Sequence, residues 1–114
     1  MQITLLLECT SRAELRSWLA DNHLTTSDVW VTIYRFKPKN DMPQLPYIDV
    51  VEEALCFGWI DSTLKRLPDG RLAQRISPRR RNSHWTQLNI ERCRQLITRG
   101  LMTPAGIKAM PIEF

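Results

Sequence analysis

Between Ile48 and Pro78 the sequence sets out a helix, its stop, a strand, a turn and a second strand in unbroken succession, and this run constrains the fold more than any other. Val51, Ala54 and Leu55 recur at helical spacing, so residues 48–57 form an amphipathic helix with these side chains inward and Glu52 and Glu53 outward. Gly58 follows where a left-handed C-terminal cap belongs, a backbone conformation that glycine adopts without steric cost. Trp59 to Arg66 and Arg71 to Ser77 then flank Leu67-Pro68-Asp69-Gly70. Proline presets one turn angle and glycine accepts a positive φ, so the two flanking segments pair as a β-hairpin. Leu72, Gln74 and Ile76 point to one side of the second strand, and Pro78, which has no N–H to donate, ends the ladder.

Upstream, Ile3-Thr4-Leu5-Leu6-Leu7 reads as a short strand. Ser11 and Glu14 form a capping box that opens a helix whose Leu15, Trp18 and Leu19 share one face. Val29 to Phe36 is rich in β-branched and aromatic residues with apolar groups on both parities, as an interior strand requires. Prolines 38, 43 and 46 together with Asn40-Asp41 make residues 37–46 a loop, longer than the usual connection of about four to six residues and therefore functional or mobile. Downstream, Ser83 is suited to cap a helix carrying Trp85, Leu88, Cys93, Leu96 and Ile97 as an apolar stripe, and Gly100 stops it. Thr103-Pro104 opens a last short helix that runs to about Met110 before Pro111. The whole implies one α+β domain over residues 1–114, with a small, mainly antiparallel sheet that includes a β-hairpin and is packed with helices.

Composition narrows the class of function. No stretch approaches the roughly 18 apolar residues of a membrane span, and the start lacks the basic and apolar regions of a signal peptide. Cys9, Cys56 and Cys93 are an odd number without close pairs, which fits reduced thiols in a cytoplasm and neither a disulfide framework nor a CxxC site. His23 and His84 have no ligand-type partners at metal spacing, and no motif calls for a cofactor. The net charge of +4 conceals an asymmetry: residues 1–64 carry five basic and nine acidic side chains, whereas residues 65–99 carry ten basic ones against Asp69 and Glu91. Such a field attracts phosphates or an acidic partner, or else serves as a solvated surface.

Several motifs in order resemble the YdeI/OmpD-associated (bacteriocin-protection) family. They are Glu53-Ala54-Leu55-Cys56-Phe57-Gly58-Trp59-Ile60-Asp61-Ser62, then Ser77-Pro78-Arg79, Ser83-His84-Trp85, Asn89 with Glu91-Arg92, and Gly100-Leu101-Met102-Thr103-Pro104-Ala105-Gly106. Trp18-Leu19 and Val29-Trp30 extend the similarity towards the N-terminus. Members of that family commonly continue into a further helical segment, so the resemblance implies a short member without it. The resemblance also implies a bacterial protein connected with bacteriocin protection or envelope stress, and it defines no reaction.

Candidate site residues fall into three groups. Arg79, Arg80 and Arg81 precede the proposed Ser83 cap, so three guanidinium groups and a helix N-terminus offer an anion site. Asp61 shares a strand face with Trp59, and if buried it needs a cationic or N–H partner, for which Arg75 and Arg79 are candidates. Such a pair is either a structural clamp or the polar floor of a pocket formed with Trp59, Arg75 and Trp85, and Trp85 itself falls on the apolar stripe. Cys56, with His84 and Asp61 available, is a weaker catalytic candidate, because its place near the buried end of a helix suits an inert thiol. The leading expectation is a non-enzymatic binding or adaptor module for an anionic small molecule or an acidic protein surface. The alternatives are nonspecific nucleic-acid binding through the hairpin and Arg79 to Arg81, and a small-molecule enzyme built around Asp61. A homodimer is compatible with so small a domain.

Overall fold

In the computed structural model, which describes residues 2–111, the hairpin forms one side of the sheet. The elements run β1 (Leu6–Leu7), α1 (Arg12–Asn22), β2 (Val29–Tyr34), β3 (Leu45–Pro46), α2 (Tyr47–Cys56), β4 (Trp59–Arg66), β5 (Leu72–Pro78), α3 (Gln87–Thr98) and α4 (Pro104–Ala109). The fold is α+β, with a mainly antiparallel five-stranded sheet and four helices among the described residues. β2 pairs antiparallel with β5, and β5 with β4. The other edge of β2 is shared by two short parallel strands, β1 opposite Trp30 and Val31 and β3 opposite Ile33 and Tyr34. Between them, the buried Thr32 hydroxyl donates to the Pro43 carbonyl at 2.8 Å.

Strand alternation sorts the sheet residues. Val29, Val31, Ile33, Ile76 and Trp59 join Leu15 and Leu19 of α1, Val50, Val51, Ala54 and Leu55 of α2, and Leu96 of α3 in one core. Trp30 and Thr32, on the opposite parity of β2, are also fully buried, as an interior strand requires. The hairpin turn closes as its residues dictate, with the Gly70 N–H on the Leu67 carbonyl at 2.9 Å and Gly70 at φ 94°. The Ser11 hydroxyl accepts from the Glu14 N–H, and Thr103 caps α4 with Pro104 in its first turn.

Several sequence expectations are corrected. The N-terminal strand is confined to Leu6–Leu7, β2 stops at Tyr34, and the proline-rich loop yields the short β3 at its end. Pro78 ends the ladder as expected, but as its last paired residue. It stays in register opposite Trp59, a position that asks nothing of its missing N–H, and the next N–H, that of Arg79, donates to Gly58 at 3.0 Å. Leu88 and Ile97 are exposed, so the inward stripe of α3 is Cys93 and Leu96.

The largest correction concerns Glu53, which is fully buried and not outward. Its carboxylate accepts from Arg12 Nε at 2.5 Å and from Arg16 Nη1 at 3.0 Å, two residues one turn apart on α1. Arg16 also reaches the Leu101 carbonyl at 2.6 Å, while Arg12 and Arg99 both meet Glu52. A buried carboxylate that is paired on both oxygens ties α1, α2 and the segment before α4 into one unit.

α4 is docked by close backbone approach. The Cys56 carbonyl, at the end of α2, accepts from the Thr103 N–H at 3.1 Å and the Thr103 hydroxyl at 2.5 Å. A Cβ on Gly106 would overlap that same carbonyl, and one on Gly58, at φ 76°, would lie 2.9 Å from the Ala105 carbonyl. The two glycines are thus required by contact between α4 and the junction of α2 with β4.

Glu53→Ala is expected to lower stability by about 3 kcal/mol, read as a lower urea midpoint with an unchanged slope, because two guanidinium groups lose their partner. Gly106→Ala is expected to cost about 1–3 kcal/mol by forcing α4 off the Cys56 carbonyl, measured by thermal unfolding.

Candidate anion-binding site

The site is assembled by the chain leaving β5. Once the Arg79 N–H has bonded to Gly58, the backbone turns through Asn82, which holds φ 62°, with the Ser83 N–H on the Arg80 carbonyl at 3.1 Å. Asparagine is among the few residues other than glycine that tolerate this left-handed conformation. The reversal lays the Arg79 guanidinium over the Trp85 ring, 3.7 Å from its centre. Arg79 Nη1 donates to the Ser83 hydroxyl at 3.1 Å and the His84 carbonyl at 3.3 Å. Its Nε and Nη2 are buried and have no acceptor among the described residues.

A guanidinium with one edge unpaired in a half-buried place is energetically exposed. Burial pulls the Arg79 pKa below its ordinary value, opposed in part by Cys93 and Asp61. Around it opens a cleft of about 740 Å³ lined by Arg80, Arg81, Ser83, Trp85 and, from α4, Lys108. No carboxylate lines this cleft among the described residues. Arg80 and Arg81 also border a second hollow of about 510 Å³ beside Ile60, Arg75 and Ser77. The two exposed arginines therefore stand between two concavities.

Asp61 takes a partner that the sequence did not suggest. The Tyr47 hydroxyl, from the first residue of α2, donates to Asp61 Oδ2 at 2.9 Å. Burial, then the Asp61 charge, raises the Tyr47 phenol above its ordinary pKa, while Arg35 and Arg92 oppose the rise. Arg35 lies over the Tyr47 ring at 4.4 Å, and Arg92 donates to Asn89 Oδ1 at 2.9 Å. Among the described residues the Tyr47 hydroxyl, and not the expected arginine, is the hydrogen-bond partner of Asp61.

The remaining candidates disperse. Arg75 cannot reach Asp61, because Asp61 is in register with Ile76 and strand alternation sends Arg75 to the opposite face, where it pairs with Asp28 at 3.0 Å. Trp59 is buried in the core, edge-on to Trp18 with centroids 6.3 Å apart, and lines none of these hollows. Trp85 is not part of a helical stripe but lies before α3 as the platform under Arg79. Ser83 caps no helix. Thr86 does so, accepting from the Asn89 N–H at 3.1 Å, because residues 82–85 are used in the reversal and the stack. The expected helix N-terminus therefore does not adjoin the three arginines.

Cys56 is fully buried, and burial together with the Glu53 charge raises its pKa, with Arg16 offsetting only part. The His84 side chain is exposed, and its backbone carbonyl is the group in contact with Arg79. Cys56, His84 and Asp61 accordingly form no nucleophile and base set. Sequence reasoning missed Tyr47 and Lys108. The signal for Tyr47 was a tyrosine directly after the proline that closes the loop, at the start of a helix. Lys108 carried no signal, since only the docking of α4 brings it to the cleft.

Residues 7–109, which include all of these groups, match the model of a domain of unknown function, DUF8412. The chain belongs to that family. No curated protein and no solved structure matches it. The DUF8412 match covers both halves of the site, from Arg35 and Tyr47 through Asp61 to Arg79, Trp85 and Lys108. Among the described residues of this DUF8412 chain no helix is long and apolar enough to cross a membrane.

The hydrogen bond from Tyr47 to Asp61 holds while the phenol is protonated, so its contribution is present below the ordinary value of 10.0 and fades as pH rises through the raised one. The Tyr47 phenol is expected to ionise at higher pH than its ordinary value of 10.0, read as the phenolate absorbance that Tyr47→Phe removes.

Proposed function

We propose that this domain is a binding module for an anionic ligand, a small molecule bearing a phosphate or carboxylate group, held at Arg79 and gathered by Arg80, Arg81 and Lys108. The observation that carries this reading is the buried Nε and Nη2 edge of Arg79, which has no acceptor among the described residues. That edge is the fork with which arginine binds a carboxylate or phosphate through two parallel hydrogen bonds. Stacking on Trp85 and the bonds to Ser83 and His84 fix its plane beforehand, which lowers the cost of ordering on binding. Because the edge is closed to solvent without ligand, binding requires the 80–83 turn to shift, pivoting on Asn82.

A binder is favoured over an enzyme because the nucleophile and base candidates lie apart. The motifs resembling the YdeI/OmpD-associated family support a bacterial cytoplasmic setting in bacteriocin protection or stress resistance, and they include Arg79, Ser83 and Trp85 themselves.

Calorimetric titration with inorganic pyrophosphate and with citrate at low ionic strength tests the proposal. Binding is expected to weaken with salt. Arg79→Lys, which keeps the charge and loses the fork, is expected to lower affinity about tenfold or more. Arg80→Ala and Arg81→Ala are expected to cause smaller losses and a shallower salt dependence. Equal affinity in wild type and Arg79→Lys, or no binding of either anion at low salt, would overturn the assignment.

A further inference from the structure

At the far end of the hairpin from Arg79, β2 runs out into Arg35-Phe36-Lys37-Pro38-Lys39, an aromatic ring with cations on both sides. Phe36 is 90% exposed, the highest exposure among the large apolar side chains described. A single exposed ring is ordinary on a protein surface, and what distinguishes Phe36 is the hollow it borders and the cations beside it. The loop that carries it is organised, for Asn40 Oδ1 accepts from both the Met42 N–H and Gln44 Nε2 at 3.0 Å. Phe36 and Tyr34 line a hollow of about 440 Å³ together with Pro38, Arg66 and Leu72.

The charge around this hollow is positive. Arg35, Arg66 and Arg71 line it with Asp69, and Lys37 and Lys39 lie on the adjoining loop with Asp41. Arg71 is committed to Asp69 at 2.8 Å and Glu8 at 2.7 Å, and Arg35 lies over the Tyr47 ring, which leaves Lys37, Lys39 and Arg66 as the cations offered to a ligand. We propose that this surface binds single-stranded nucleic acid, with a base stacked on Phe36 and the adjoining phosphates held by Lys37, Lys39 and Arg66. An exposed ring in a cationic groove is the combination such recognition uses, and it is sequence-tolerant because every base has a flat face. Paired bases in a duplex have no free face to offer Phe36. An acidic peptide would meet the cations and leave the ring without a flat partner. A second copy of this basic chain would bring like charges together. The surface is separate from the Arg79 site by the length of β4, Trp59–Arg66, about 25 Å of strand.

Fluorescence anisotropy with a labelled oligothymidylate of about 12 nucleotides, within the span of one such surface, tests this. Binding is expected at low ionic strength and is expected to fall steeply with salt. Phe36→Ala, which removes a solvent-exposed ring and so leaves the melting temperature unchanged, is expected to lower affinity about tenfold with the same salt slope. Lys37→Ala and Arg66→Ala are each expected to reduce the slope, and Arg79→Lys to leave binding unchanged. Affinity unaltered by Phe36→Ala would overturn the proposal, as would equal binding of the matching duplex or of a labelled polyglutamate. Loss of oligonucleotide binding in Arg79→Lys but not in Phe36→Ala would move nucleic acid to the other site and equally reject this one.

Discussion

The buried carboxylate of Glu53 is the contact on which the arrangement of this domain depends. A charge taken out of water is tolerated only when its oxygens are met by cations or donors, and Arg12 and Arg16 meet both. That requirement fixes how α1 lies across α2, since the two arginines must come from one face of a helix. Through Arg16 it extends to the Leu101 carbonyl, and so to the place where α4 begins. One side chain thereby couples the first helix to the segment that leads into the last.

The docking of α4 then decides what the arginine run can do. The Cys56 carbonyl is satisfied by Thr103, and Gly58 and Gly106 permit the helix to lie close to the start of β4. Lys108 arrives at the cleft as a consequence, facing Arg79 to Arg81 across it. Two segments that are distant in sequence, around Gly58 and around Gly106, are therefore a single contact in space. Their joint appearance among the motifs has a physical reason independent of any ligand.

Much of the fold was legible because it follows from local rules. Gly58 ends α2 as expected, Leu67 to Gly70 turn the hairpin, and Thr103-Pro104 opens α4. What could not be read depends on contacts between distant residues. Glu53 looked like an outward helix charge until α1 supplied two arginines, and Trp85, which packs against the core, also carries Arg79 over its ring once the chain turns at Asn82. Ser83 satisfies every local criterion for a helix cap, yet its hydroxyl is taken by Arg79, and the helix starts only after Thr86. Asp61 is only partly buried, so the condition under which it would need a cationic partner is not met in full, and it nevertheless has one donor. That donor was a tyrosine from across the core, which no spacing rule identifies.

The irregularity between Asp61 and Leu64 has a further meaning for the molecule as a whole. β4 is the terminal strand of the sheet, and the opposite edge of β2 is occupied by β1 and β3 with Thr32 between them. An unbroken outer strand of eight residues would offer another chain a continuous row of unpaired amides. The register shift interrupts that row and increases the local twist, and a lysine and an arginine follow at the end of the strand. The bulge and the two cations thus leave this flank of the sheet a poorer template for another strand than eight regular residues would be.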